Sequence, residues 1–184
     1  MKHMVILIMG MKHSGKSSIG KKLAGISGLP FYDLDKIIEA GYRQKNGRNP
    51  GIREIYSQEG ADGFRRLEAE AARTAAGFSR GVIALGGGTP ENKAAMDRLA
   101  PLGTAVLLEE DPDVIYDRIK AGGIPPFLND PVRSPREIYD ELYQKRRQVY
   151  RRYSDVIFPV NGKSVEQAAE FLLKVLNNLN NEET

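Results

Sequence analysis

The stretch Ile8 to Gly20, IMGMKHSGKSSIG, constrains the fold more than any other part of the chain. Read as Gly10-x-x-x-x-Gly15-Lys16-Ser17, it follows an apolar run and opens a helical pattern, the context in which a glycine-rich turn wraps phosphates. Each position has a mechanical duty. The glycines let consecutive N–H groups face an anion, and the helix start adds the positive end of its dipole. Lys16 carries charge to the β and γ phosphates, and the Ser17 hydroxyl can ligate Mg²⁺. Gly10, His13, Ser14, Gly15, Lys16, Ser17 and Ser18 are therefore the expected nucleotide-binding residues, with Lys16 also catalytic. His13 is expected to contribute through its backbone, its side chain turned to solvent.

The motif needs a strand before it and a helix after it, and the same alternation continues along the chain. VILIM (5–9), PFY (30–32), GVIAL (81–85), TAVLLE (104–109) and DVIFPV (155–160) each precede a helical pattern. Strands separated by helices of this length need crossovers, hence a parallel sheet covered on both faces. The expected fold is α/β: a three-layer sandwich with a central parallel sheet of about five strands, built as one domain over residues 1–184. A net charge of +3, from 27 basic and 24 acidic residues, is too near balance to argue for nucleic acid. No apolar run approaches the roughly 20 residues of a membrane span. The N-terminal MVILIM lacks a cleavage site and runs into the phosphate loop, and there are no cysteines, so a soluble cytoplasmic protein is expected.

Helix starts are marked at Thr89-Pro90, Asp111-Pro112 and Ser134-Pro135, where a capping side chain precedes a proline at the first helical position. Ser134-x-x-Glu137 and Ser164-x-x-Gln167 also read as capping boxes. The C-terminal NNLNNEET reads as frayed. Between them, about 120–134, the Gly- and Pro-rich AGGIPPFLNDPVR reads either as a loose connection or as a mobile lid over a ligand.

A phosphoryl-transfer site needs a magnesium partner, a group to orient the attacking oxygen and positive charge on the phosphoryl. In FYDLD, Asp33 and Asp35 end an apolar run; Asp33 also reads as a helix cap. Arg65 and Glu68 stand at i, i+3 in GFRRLEAEAAR, an ordinary helix pair or a braced guanidinium within a helical substrate-binding region of about 33–70. In LGGGT, Gly86, Gly87 and Gly88 form either a simple turn or a side-chain-free approach for a ligand. The basic QKRRQVYRRY, Gln144 to Tyr153, reads as a solvated helix face, a site for a small anion or, least well, a nucleic-acid surface.

Together these motifs resemble the shikimate kinase family over nearly the whole chain. GMKHSGKSSIG is similar to its P-loop, FYDLD to its Phe-x-Asp-x-Asp, FRRLE to its Phe-Arg-x-x-Glu, LGGGT to its triple glycine and KRRQVY to its Arg-x-x-x-Tyr. The resemblance implies a P-loop kinase fold and ATP- and Mg²⁺-dependent phosphorylation of shikimate to shikimate 3-phosphate, a step of aromatic amino-acid biosynthesis. It implies Ser17 and Asp33 for the metal, Asp33 through water, and Asp35 as the residue that takes the acceptor hydroxyl. It implies Arg65, braced by Glu68, and Arg146 for the substrate carboxylate, Gly86 to Gly88 for its ring, and Arg118 against adenine. The partner would be a small polyol acid, with neither nucleic acid nor membrane, and the protein a monomer.

One departure stands out: in the family the lid carries an arginine over the phosphates, and here Pro125 occupies its place. Proline offers neither charge nor donor. Either Arg133 or Arg136 swings in, which is the expectation, or the enzyme is slow, acts on another small hydroxy acid, or has lost catalysis.

Overall fold

The computed structural model of the protein describes residues 4–125 and 128–182. Along the chain run β1 (Met4–Met9), α1 (Lys16–Ser27), β2 (Phe31–Asp33), α2 (Leu34–Asn46), α3 (Ile52–Ala75), β3 (Arg80–Ala84), α4 (Lys93–Leu99) and β4 (Gly103–Glu109). They are followed by α5 (Pro112–Ala121), α6 (Pro135–Tyr153), β5 (Val156–Pro159) and α7 (Val165–Glu182). The five strands pair in parallel in the order β2-β3-β1-β4-β5.

Strand β1 shows why the sheet is sandwiched. Its residues alternate faces with a period of two, and both sets are apolar. Val5, Leu7 and Met9 pack with Leu34 and Ile38 of α2, Ile55 and Ala72 of α3 and Met96 of α4. Ile6 and Ile8 face the other way, into a cluster with Ile19 and Leu23 of α1 and Ala168, Leu172 and Leu176 of α7. A third cluster joins Leu107 of β4 to Ile115 and Ile119 of α5 and to Tyr139, Tyr143 and Tyr150 of α6. This is the expected three-layer α/β arrangement. Its parallel strands bring the carboxyl ends of β1, β2 and β3 to one rim, where ligands sit in open parallel sheets.

Capping explains most helix starts. Asp111 accepts from the Asp113 N–H, and at α6 Ser134 and Glu137 form both halves of a capping box. Ser164 and Gln167 do the same before α7. The expectation at Thr89-Pro90 fails: Thr89–Glu91 is only a 3-10 turn, and α4 is capped by Asn92, whose side chain accepts from the Ala95 N–H. Thr89 has a stronger use, because its hydroxyl is buried against Glu68. The C-terminal segment expected to fray continues as helix to Glu182, and residues 183–184 lie outside the described residues.

The expected lid begins inside α5 and ends where α6 starts, so the connection proper is 122–134, of which Pro126 and Phe127 lie outside the described residues. Leu128 is fully buried among the tyrosines of α6, and its N–H donates to the Pro125 carbonyl. Asp130 accepts from the N–H groups of Val132 and Arg133, turning the chain into α6. No helix among the described residues is long and apolar enough to cross a membrane.

Helix α3 bends at Gly60, where φ is 66° and ψ is −178°. That combination is essentially restricted to glycine. The bend turns the first part of α3, with Arg53, independently of the part that bears Arg65 and Glu68. Gly60→Ala should therefore lower stability by about 1–3 kcal/mol although open space surrounds the position. Thermal unfolding checks this, and an unchanged melting temperature would show that the bend is not enforced.

Candidate active site

The donor half is built by the loop between β1 and α1. Gly15, in the left-handed conformation, precedes α1 with no side-chain cap, so the first-turn N–H groups stay available to an anion. Lys16 Nζ folds back onto the carbonyls of Gly10 at 3.0 Å and Met11 at 2.8 Å. Burial pushes its pKa down to about 8 against the opposing pull of Asp35 and Asp33. Ser14 is buried and its hydroxyl has no partner among the described residues. The loop thus holds first-turn N–H groups and a buried hydroxyl that it does not itself satisfy. His13 is exposed with φ at 67°, and its carbonyl accepts from Arg118 Nη1 at 2.9 Å. Arg118 also lies 3.3 Å from the buried Glu110 carboxylate at the end of β4, so the bond to His13 ties α5 to the phosphate loop while this contact holds the guanidinium in place.

The two aspartates sit at the carboxyl end of β2. Asp33 is both the helix cap and the neighbour of the loop: Oδ1 accepts from the Asp35 N–H at 3.1 Å, and Oδ2 accepts from Ser17 Oγ at 2.8 Å. Asp35, in the first turn of α2, has its pKa pushed up to about 6, first by burial and then by the Asp33 charge, with Lys16 opposing. A side chain on Gly86 would begin 2.8 Å from Asp35 Oδ1, so only glycine lets the backbone pass the carboxylate this closely.

The acceptor half gathers around the glycines that follow β3. Arg65 Nη1 donates to the Gly88 carbonyl at 2.9 Å and lies 3.3 Å from Glu68 Oε2. Glu68 is buried, and Thr89 Oγ1 and Asn92 Nδ2 also donate to it, at 2.9 and 3.1 Å. From the other side Arg146 of α6 reaches the same turn. Its Nη atoms lie 3.7 and 3.5 Å from where side chains on Gly87 and Gly88 would start, while its Nε donates to Glu91 Oε2 at 2.9 Å. Tyr150 donates to the Gly87 carbonyl at 2.6 Å. Two guanidinium groups therefore converge on one turn, beside a carboxylate poised near neutrality. That geometry suits a small hydroxy acid better than a second nucleotide.

Gly10, Ser14, Gly15, Lys16, Ser17, Asp33, Asp35, Arg65, Glu68, Gly86, Gly87, Gly88 and Arg146 are thus brought together around the carboxyl ends of β1, β2 and β3, with Arg118 against the phosphate loop and with His13 and Ser18 exposed on it. The lid arginines are elsewhere. Arg136 pairs with Asp113 at 2.6 Å and Asp140 at 2.8 Å and lies over the Tyr116 ring, and Arg133 pairs with Glu141 at 2.6 Å. Both are engaged by carboxylates of α5 and α6, so in this conformation neither supplies the charge missing at Pro125. Sequence reasoning missed Glu91, Asn92 and the hydroxyl of Thr89, whose partners stand more than twenty residues away; the only local signal was the spacing to LGGGT.

The family model described as shikimate kinase matches residues 12–177. The shikimate kinase of Thermodesulfovibrio yellowstonii is 33% identical over 179 residues, 97% of this chain and 98% of that one. Among solved structures, shikimate kinase from Bacteroides thetaiotaomicron superposes with a TM-score of 0.77 at 27% identity, over 95% of this chain and 98% of that one. Shikimate kinase from Acinetobacter baumannii, solved in complex with shikimate, reaches a TM-score of 0.81 at 24% identity over 96% and 95% of the two chains, a likeness of fold.

Asp35 offers a test with a defined sign. Folding favours its protonated form, so its contribution to stability is present below the usual carboxylate pKa and is lost as pH rises through about 6. Asp35→Asn should stabilise the protein at pH 7 by about 3 kcal/mol, with the difference vanishing below pH about 4. The same variant should lose most of kcat with little change in ATP affinity, and wild-type turnover should fall below pH about 6. Melting temperatures against pH, with the pH–rate profile, check both. Glu68→Ala strands three donors and should cost about 1–3 kcal/mol, measured by denaturant unfolding.

Proposed function

Because the chain belongs to the shikimate kinase family, we propose that it transfers the terminal phosphoryl group of ATP to a ring hydroxyl of shikimate, yielding shikimate 3-phosphate and ADP. The observation that carries this reading is the convergence of Arg65 and Arg146 on the Gly86–Gly88 turn, next to Asp35 and opposite the phosphate loop.

In this reading the two guanidinium groups hold the carboxylate of the acceptor and thereby aim one hydroxyl at the loop. Asp35, ionised above pH about 6, accepts that hydroxyl's proton as its oxygen bonds to the γ-phosphorus and the bond to the ADP oxygen breaks. Lys16 leaves its resting bonds to Gly10 and Met11 and follows the charge on the phosphates. Arg118 would lie against the adenine, a role supported by its bond to the His13 carbonyl beside the loop.

Ser17 Oγ and Asp33 Oδ2 make a pair of hard oxygens that fits magnesium, which keeps most of its waters and takes few protein ligands. Ser17 would hold the ion directly and Asp33 through water. The ion, when bound, would neutralise charge on the β and γ phosphates. The protein is proposed to act in the cytoplasm, in keeping with its lack of cysteine, and as a monomer. A second reading, a kinase for another small hydroxy acid or a homologue without catalysis, draws on Pro125 alone.

A coupled ADP-release assay with ATP and Mg²⁺ separates these readings, with shikimate, gluconate and AMP compared as acceptors. Shikimate-dependent release is the expected result; release with gluconate only, or with none, would reject it. In the same assay Arg146→Leu should raise the acceptor KM by about tenfold to a hundredfold, the worth of a charge-assisted contact.

A further inference from the structure

The phosphate loop contains one residue in a conformation that its side chain disfavours. The Ser14 N–H donates to the Met11 carbonyl at 3.1 Å and closes a tight turn over residues 11–14, in which His13, at the third position, has φ at 67°. Lys12, at the second position, has no positive φ, so the turn is of the type II kind, whose third position ordinarily belongs to glycine. A histidine there is strained, and such strain persists only where the surrounding contacts enforce it. The peptide joining His13 to Ser14 is held at both edges, its N–H by the Met11 carbonyl and its C=O by Arg118 Nη1 at 2.9 Å. The Met11 carbonyl is shared with Lys16 Nζ, a bond that Lys16 gives up when it turns to phosphates. The Arg118 bond does not depend on Lys16.

Arg118 stands in the last turn of α5 with its side chain 44% exposed, and an arginine so placed has many rotamers open to it. Glu110 removes that freedom. Its carboxylate is buried: Oε1 accepts from the Asp111 N–H at 3.1 Å, while Oε2 makes no hydrogen bond among the described residues and lies 3.3 Å from Arg118 Nη2. A buried carboxylate with one oxygen unsatisfied is unfavourable. The local fold does not require it, since α5 is capped by the Asp111 side chain, and the contact from Tyr143 goes to the Glu110 backbone carbonyl, which any residue would offer. What the Glu110 side chain adds is a fixed charge facing Arg118.

The structure assigns Glu110 the role of a positioning residue for the donor nucleotide: through Arg118 it holds the His13–Ser14 peptide in the left-handed turn that leads into the anion-binding N–H groups. Gly15, with φ at 91°, and the uncapped first turn of α1 come next along the chain, so the orientation of that peptide sets the direction in which the following donors point. Those donors serve phosphates and not the base, so the brace acts on polyphosphate affinity. This is distinct from a contact of Arg118 with adenine, which only a nucleotide would feel. Glu110 itself touches no phosphate and transfers no proton. The inference rests on the phosphate-loop part of the reading above and not on which molecule accepts the phosphoryl group.

The test is calorimetric titration, without acceptor, of ADP and of inorganic tripolyphosphate, each with Mg²⁺, into wild type, Glu110→Gln and the double variant Glu110→Gln with His13→Gly. Glutamine keeps the shape of the side chain and the bond from Asp111 but removes the charge facing Arg118. Glu110→Gln should weaken both ligands about tenfold, the scale of one unsupported left-handed residue. The double variant should recover most of that loss, because glycine adopts this φ without a brace, a rescue that a purely structural role for Glu110 would not produce. If Glu110→Gln does not fold, Arg118→Ala serves instead in the tripolyphosphate arm, with the same loss and the same rescue expected. A loss confined to ADP would mean that Glu110 serves only the base; that result, no loss for either ligand, or a loss that His13→Gly leaves unrestored would overturn the assignment. A wild type that binds neither ligand would refute the phosphate-loop reading and this inference with it, whereas a protein that shows the loss and its rescue yet fails to phosphorylate shikimate refutes the acceptor and retains Glu110.

Discussion

The buried Glu68 carboxylate is the contact on which the site's geometry turns. It accepts from Arg65, Thr89 and Asn92, and thereby joins α3, the glycine turn and the start of α4. A carboxylate this deep is tolerated only because donors surround it. Its free energy is spent on position: Arg65 loses its freedom, and the turn carrying Gly86 to Gly88 cannot slide along β3. Asn92 closes the arrangement by also donating to the Arg65 carbonyl, so the helix that presents the guanidinium is tied at both its backbone and its side chain.

The charges of the cleft are arranged against one another in the same spirit. Asp35 and Lys16 each depart from their usual titration range, one upward and one downward, and burial leads in both. Each group partly offsets the other's shift. A site tuned this way is less stable than a neutral one would be, a common cost of placing ionisable groups where chemistry is done.

Much of this was legible in the order of motifs. The phosphate loop, the alternation of strands and helices and the proline-marked caps are local signals, and local physics sets them. Thr89 shows where such reading stops. A threonine before a proline is a good cap, but a hydroxyl beside a buried carboxylate is worth more, and that carboxylate lies 21 residues away in sequence. Arg146 likewise meets Glu91 across 55 residues, and neither position announces the other. The bend at Gly60 was hidden because a glycine among good helix formers reads as a weak point, not as a change of direction.

Tyr150 has a consequence that reaches beyond its own bond. Its phenol donates to the Gly87 carbonyl at 2.6 Å, lies 3.6 Å from Met11 Sδ in the phosphate loop, and belongs to the helix that carries Arg146. The same tyrosine cluster encloses Leu128 of the connection between α5 and α6. One rigid helix therefore serves as a common ruler for the nucleotide, the acceptor and the segment that follows α5. A displacement of α6 would therefore shift the Met11 contact, the glycine turn and the packing around Leu128 together.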